Sequence, residues 1–389
     1  MRKLESWVLV TLFNSVLIQA STYLSRPMIT YKLLTMHANT FVVGSFGALY
    51  ALFPLLLAIP LGRWINQFGE GRFILYGTVM IALSTLLLMS VTATWLMVFA
   101  VAALGTAQLL CMAGAQALFA NRSPNGNYER FFGLYTFSAA LGQLIGPLIG
   151  TIAAGSSGVL PKSTSHGFFA AAILALIGIV PLYKWLPMSP TVDVSAKESK
   201  SQISLAQVLS NPGMKTAMFT SLAISSSVDV LVVFLPVFGK ERGFSAGAIG
   251  VVLAIRAATS MVFRLFLAPM TAKFGFRRLL IASIVVSSLA CIVATTATNV
   301  LFLAIVIAVA GFSLGLGQPM TMAWVSRMSK DPERSFAISV RLAGNRFGQF
   351  LLPAIAGVVA GGFGAGAVFI SLALLMGSSG VLAQTKLKE

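Results

Sequence analysis

Twelve apolar runs set the limits on this chain, at about residues 6–34, 41–61, 73–93, 95–119, 131–154, 166–187, 213–238, 246–266, 279–297, 300–325, 336–360 and 363–384. A bilayer's hydrocarbon core takes roughly 20 apolar residues wound as a helix, and each run is close to that length. Only 10% of the residues are charged, where a soluble domain carries roughly 25%, and the mean hydropathy is +0.89. The runs are continuous. A closed barrel would need alternating strands of about ten residues, so the pattern implies an all-α membrane protein.

A second pattern divides the chain in two. Within the fifth run, Gly142, Gly146 and Gly150 recur every fourth residue, and Pro147 stands among them. On a helix these glycines share one bare face against which another backbone can pack. The proline removes a main-chain donor and kinks the helix. Gly348, Gln349 and Pro353 repeat Gly142, Gln143 and Pro147 206 residues later. The same offset pairs Gly250 with Gly44, Arg278 with Arg72, Gly311 with Gly105, and 268–275 with 62–69. One unit used twice implies twelve transmembrane helices in two pseudo-symmetric six-helix bundles, related by an axis along the membrane normal. The expected divisions are 1–187, a cytoplasmic linker at 188–210 and 211–389, in a protein expected to act as a monomer.

The net charge of +17 is a topology signal. Lys and Arg crowd the loops on the side where the chain begins, among them Arg2, Lys3, Arg63, Arg72, Arg122, Arg130, Arg278, Arg327 and Lys386. The opposite loops hold only Lys32, Lys162, Lys240 and Arg242. By the positive-inside rule both termini are cytoplasmic, in a multi-pass protein expected in a bacterial inner membrane. The basic face can meet anionic lipid; nucleic acid is not an expected partner. Arg2-Lys3 followed by an apolar run resembles a signal peptide, but the run is too long for one and reads as a retained first span. Cys111 and Cys291 fall in different spans and read as free buried thiols.

The segment Gly62-Arg63-Trp64-Ile65-Asn66-Gln67-Phe68-Gly69-Glu70-Gly71-Arg72 reads as a loop after the second span. It resembles the Gly-x-x-x-Asp-x-x-Gly-x-(Arg/Lys) signature of the major facilitator superfamily. The 142–150 segment resembles the Gly-x-x-x-Gly-Pro-x-x-Gly signature of its drug/proton antiporter branch. The resemblance covers essentially the whole chain and implies the major facilitator fold, alternating access about a central cavity, and proton-coupled efflux. It also implies a gating role for the 62–72 loop. Asn66 stands where the signature has its carboxylate, and Ala272 occupies that place in the repeat. Asn66 can cap a helix N-terminus, but an uncharged side chain implies a weaker latch. Val101 replaces a branch arginine in the fourth span, and the first span lacks the usual acid.

Ionisable groups at membrane depth are costly and mark pathways or sites. Asp229 is the one carboxylate within the twelve runs and is the expected proton-coupling residue; the alternative is a static pair with Arg26 or Arg256. Arg26, Arg256 and Arg346 exceed what one carboxylate can neutralise. They are candidates for binding an anionic substrate group bidentately, with Gln143, Gln349 and Asn345 as polar lining. Gating or helix packing is expected of Asn66, Gly69, Arg72, Gly142, Gly146, Pro147, Gly150, Arg341 and Pro353, with Arg341 near enough to a helix end to snorkel. No metal-ligating cluster, cofactor motif, ATP-binding loop or nucleophile–base spacing is present. The chain thus reads as a secondary transporter and not an enzyme, its coupling ion a proton. The alternatives are an importer or exchanger of an organic anion, such as a carboxylate or siderophore, and a non-transporting receptor or assembly factor.

Overall fold

The computed structural model describes residues 5–122, 128–188, 205–329 and 334–386, apart from the side chains of 58, 59, 62, 63, 66, 128–130 and 334–336. The described residues form fourteen helices and no strands. The membrane-length helices are α1 (Ser6–Thr35), α2 (Thr40–Phe68), α3 (Glu70–Ser90), α4 (Thr94–Arg122), α5 (Tyr128–Ala153), α6 (Thr164–Trp185), α8 (Met214–Glu241), α9 (Ala246–Leu265), α11 (Phe276–Ala294), α12 (Val300–Met328), α13 (Arg334–Phe363) and α14 (Ala365–Lys386). Two short helices, α7 (Leu205–Ser210) and α10 (Leu267–Phe274), complete the set. Among the described residues, twelve helices are long and apolar enough to cross a bilayer. Large apolar side chains line their outer faces, with Ile152 81% and Phe363 83% exposed, as a lipid solvent requires. Cys111 and Cys291 are buried free thiols.

The backbone carries the repeat at the offset seen in the sequence. α4 spans 94–122 and α12 spans 300–328. α2 spans 40–68, and α9 with α10 spans 246–274. Each member of the second pair is followed by a glycine of positive φ, Gly69 at 98° and Gly275 at 80°, a conformation that a side chain would oppose. His37 and Gly243 are a second such pair, at φ 57° and 72°. The register breaks only at the last helix, because α13 and α14 meet at Gly364 with no counterpart of the segment between α5 and α6.

The segment expected to be a loop at 62–72 is instead helical as far as Phe68, and α3 starts at Glu70. An interfacial turn needs no apolar surface all round, so the helix outlasts the apolar run. The N-cap of α3 is Gly69 and not Asn66, which lies within α2 and whose side chain is outside the described set. In the repeat, Pro269 stands where α2 has Arg63. Its ring cannot share space with the carbonyl four residues back, and the helix breaks at Phe266 into α9 and α10.

The chain forms two compact units, one of residues 1–35 and 49–198, the other of 36–48 and 199–389. In the first, α5 packs on α1 through its glycines. A Cβ at Gly142 would strike the Val16 carbonyl, one at Gly146 the Ala20 carbonyl, and one at Gly150 the Leu24 side chain at 2.9 Å. In the second, Gly348 of α13 lies against Leu222 and Ser226 of α8, the residues 206 positions beyond Val16 and Ala20. The start of α2 joins this unit, Gly44 lying against Pro353 and Gly357. Thr40 Oγ1 donates to the Gly357 carbonyl at 3.2 Å. α1 and α8 are the most enclosed spans, and several of their hydroxyls are satisfied within the helix. Thr11, Ser15, Ser25 and Ser227 each donate to the carbonyl four residues back, which keeps a polar group tolerable away from water.

Candidate functional site

In the first unit the polar groups gather around Arg26. Its side chain is buried, with the guanidinium carbon 4.8 Å from the Tyr50 ring centre and 5.9 Å from that of Tyr23. Such a cation–π contact contributes about 2 kcal/mol when desolvated. The Tyr50 hydroxyl donates to Gln108 Oε1, and Gln108 Nε2 donates to Gln19 Oε1 at 3.4 Å. Gly105 makes this possible: a Cβ there would collide with the Tyr50 carbonyl, so only a bare position lets α4 approach α2 so closely. The chain Arg26–Tyr50–Gln108–Gln19 therefore ties α1, α2 and α4. Tyr50 escaped the sequence reading because it sits in an apolar run as any packing aromatic would. Gln143, half-buried on α5, follows the glycine that seats α5 on α1.

In the second unit, Arg346 Nη1 donates to Gln349 Oε1 at 3.0 Å, and Gln349 Nε2 donates to Ser225 Oγ at 3.0 Å. This links α13 to α8. Asp229 lies one turn beyond Ser225 on α8 and is half-buried. Arg256 on α9 is buried, and its carbonyl lies where a Cβ at Gly311 would fall, repeating the Tyr50–Gly105 approach 206 residues on. Arg26, Asp229 and Arg256 each have an interaction partner. Asn345 is not part of the Arg346–Gln349 chain. One residue away on a helix is a turn of about 100°, and Asn345 is buried where Arg346 is half-exposed. Arg341 shares the Asn345 face, four residues earlier. It too is buried, and Nη2 donates to the Gln318 carbonyl of α12 at 3.4 Å.

Pro147 and Pro353 lie inside unbroken helices. Each lacks the N–H that would bond the carbonyl four residues back. Those carbonyls belong to Gln143 and Gln349, so freed main-chain acceptors sit at the level of the two glutamines. Gly69 forms the α2–α3 break, and Arg72 is exposed beyond it.

Two polar residues lie elsewhere than the sequence suggested. Lys32, expected in an outer loop, is buried in the last turn of α1 and donates to the Leu88 carbonyl. Glu70 adds a carboxylate that the apolar runs did not include: it is 1% exposed and accepts from Asn121 Nδ2 at 2.6 Å. It opens α3, where negative charge meets the helix dipole favourably. Replacing it with Ala leaves Asn121 without this acceptor. Glu70→Ala is expected to cost about 1–3 kcal/mol, read as a lower thermal midpoint of the purified protein, while Arg72→Ala at an exposed site leaves the midpoint nearly unchanged.

The family model described as Major Facilitator Superfamily matches residues 11–255 and 217–389. The chain belongs to this superfamily. It is 22% identical over 341 residues to Multidrug resistance protein 2 of Bacillus subtilis (strain 168), covering 86% of this chain and 83% of that protein. It is 27% identical over 180 residues to Multidrug resistance protein MdtG of Rahnella sp. (strain Y9602), covering 45% of this chain and 42% of that one. Among solved structures, the nucleoside transporter NupG matches with a TM-score of 0.77 at 16% identity, covering 98% of this chain and all (100%) of that one. A D-xylose–proton symporter also matches at 0.77, with 15% identity and coverage of 99% and 98%. Such likenesses share the fold across transporters of different cargo. The protein is thus a multi-pass membrane transporter of the superfamily, without an enzyme's chemistry.

Proposed function

We propose that the protein exports small organic molecules across a bacterial inner membrane in exchange for protons, by alternating access, as a monomer with both termini cytoplasmic. The observation that carries this reading is the position of Asp229. It is half-buried on α8, the most enclosed span, one turn from the Ser225–Gln349–Arg346 chain. A carboxylate there can exchange a proton while a neighbouring polar chain rearranges around cargo. The multidrug resistance relatives, and the resemblance of 142–150 to the antiporter signature, support the direction of transport.

A second reading, import or exchange of an organic anion, is favoured by the buried guanidiniums of Arg256 and Arg341 together with Arg346. Each can grip a carboxylate by two parallel hydrogen bonds. The two readings separate in proteoliposomes under an imposed pH gradient. The export reading expects a lipophilic cationic dye to accumulate against its own gradient when protons flow the opposite way. A dye that never moves, with a carboxylate that does, overturns it in favour of the anion reading.

A further inference from the structure

Most buried hydroxyls in these helices are satisfied by a carbonyl three or four residues back. A cluster in the second unit departs from that pattern. Thr220 Oγ1, Ser226 Oγ, Asn345 Oδ1, and Nε and Nη1 of Arg341 are buried with no hydrogen-bond partner. Ser226, Asn345 and Arg341 come from facing stretches of two helices. Gly348 rests on Leu222 and Ser226, and Gln349 bonds Ser225, so this level of α13 lies opposite 222–226 of α8. Arg341, Asn345 and Gly348 are spaced by four and three residues, hence on one face. Descending that face from Gly348 leads past Asn345 to Arg341. α12 lies beside this face, where the Gln318 carbonyl takes the one long bond from Arg341.

A guanidinium has five N–H donors, and one bond of 3.4 Å accounts for a single one here. Enclosing such a charge costs several kcal/mol unless an anion and further hydrogen bonds compensate. Snorkelling does not relieve it, because Arg341 is 5% exposed. We propose that Arg341 and Asn345 form a binding site for the carboxylate of an organic molecule that carries a hydroxyl or amine beside it. The charge selects a ligand with a single carboxylate, since one guanidinium neutralises one negative charge. Its planar fork fits a carboxylate's two oxygens. The Asn345 oxygen is an acceptor and calls for a donor on the same ligand. The site deepens the organic-anion reading by naming the group recognised.

L-lactate, L-alanine and propionate test this, since they differ only in the substituent beside the carboxylate. Titration calorimetry on the full-length protein in lipid nanodiscs is expected to give binding of lactate or alanine, and weaker binding of propionate. Arg341→Lys keeps the charge and loses the fork, and is expected to weaken binding at least tenfold. Asn345→Ala is expected to bring propionate level with the tighter of the other two, and serves even where the Arg341 variant fails to fold. A protein that binds none of the three overturns the proposal. So does unchanged affinity in folded Arg341→Lys, or preference for inorganic phosphate. Binding is read without transport: intact binding with no movement of any solute removes the transport reading and leaves the site, whereas dye export with no carboxylate binding does the reverse.

Discussion

Gly146→Ala is expected to lower the stability of the first unit sharply, although it adds a single methyl group. The new Cβ meets the main chain of Ala20 on α1, and its carbonyl oxygen first. A flexible side chain can turn aside from such a clash. A helix backbone must translate, and here it would pull away the neighbouring approaches at Gly142 and Gly150. Overpacking a well-fitted interior costs about 1–3 kcal/mol, occasionally more. In lipid, moreover, helices are held by close van der Waals fit with little hydrophobic drive between them. Gly133→Ala is the control. It lies on the same helix with nothing within 4 Å of the added methyl, so the better helix propensity of Ala, worth up to about 1 kcal/mol, acts alone. Thermal unfolding of the two purified variants is expected to place them on opposite sides of the parent. Equal midpoints would show that the glycine face does not hold α5 on α1.

The duplication was legible because it is written in residues that constrain backbone. Gly69 and Gly275 both adopt positive φ, and Gly105 and Gly311 both admit a carbonyl of the neighbouring helix. Such positions tolerate few substitutes, so their spacing survives where side chains have diverged. The twelve spans were legible for the same kind of reason, since lipid permits little besides a satisfied helix. What composition could not convey is the direction in which a polar side chain points. Arg341 reads as a snorkelling residue by its distance from a helix end, yet its face turns toward α8 and α12 and encloses it. Glu70 lies just outside an apolar run and reads as loop, yet Gly69 begins a new helix there and Asn121 covers the carboxylate. Tyr50 gave no signal, since its partners Arg26 and Gln108 come from other helices. These depend on helix rotation and on neighbours distant in sequence, which neither periodicity nor an offset supplies.

Asp229→Asn is expected to abolish accumulation driven by a pH gradient while leaving exchange of substrate across the membrane. The two side chains have nearly the same shape, so the packing of α8, and the Ser225–Gln349–Arg346 chain one turn away, remain. What is lost is ionisation. A coupling carboxylate must take up a proton on one side and release it on the other; an amide does neither, and the helix stays in one charge state throughout the cycle. Each proton moved through one pH unit supplies about 1.4 kcal/mol, a factor of ten in concentration, so one proton per cycle sets an accumulation of about tenfold per pH unit. In the variant that ratio falls toward unity, while substrate loaded inside still exchanges for substrate outside, because exchange requires no net proton movement. The sign is fixed by the antiport reading: making the external side more acidic raises export by the parent protein and leaves the variant unchanged. Proteoliposomes assayed for both gradient-driven accumulation and exchange separate the outcomes. Loss of both would mark Asp229 as part of the architecture, through the interaction it makes in the folded protein. Retention of both would move the coupling elsewhere, with Glu70 the next carboxylate to replace.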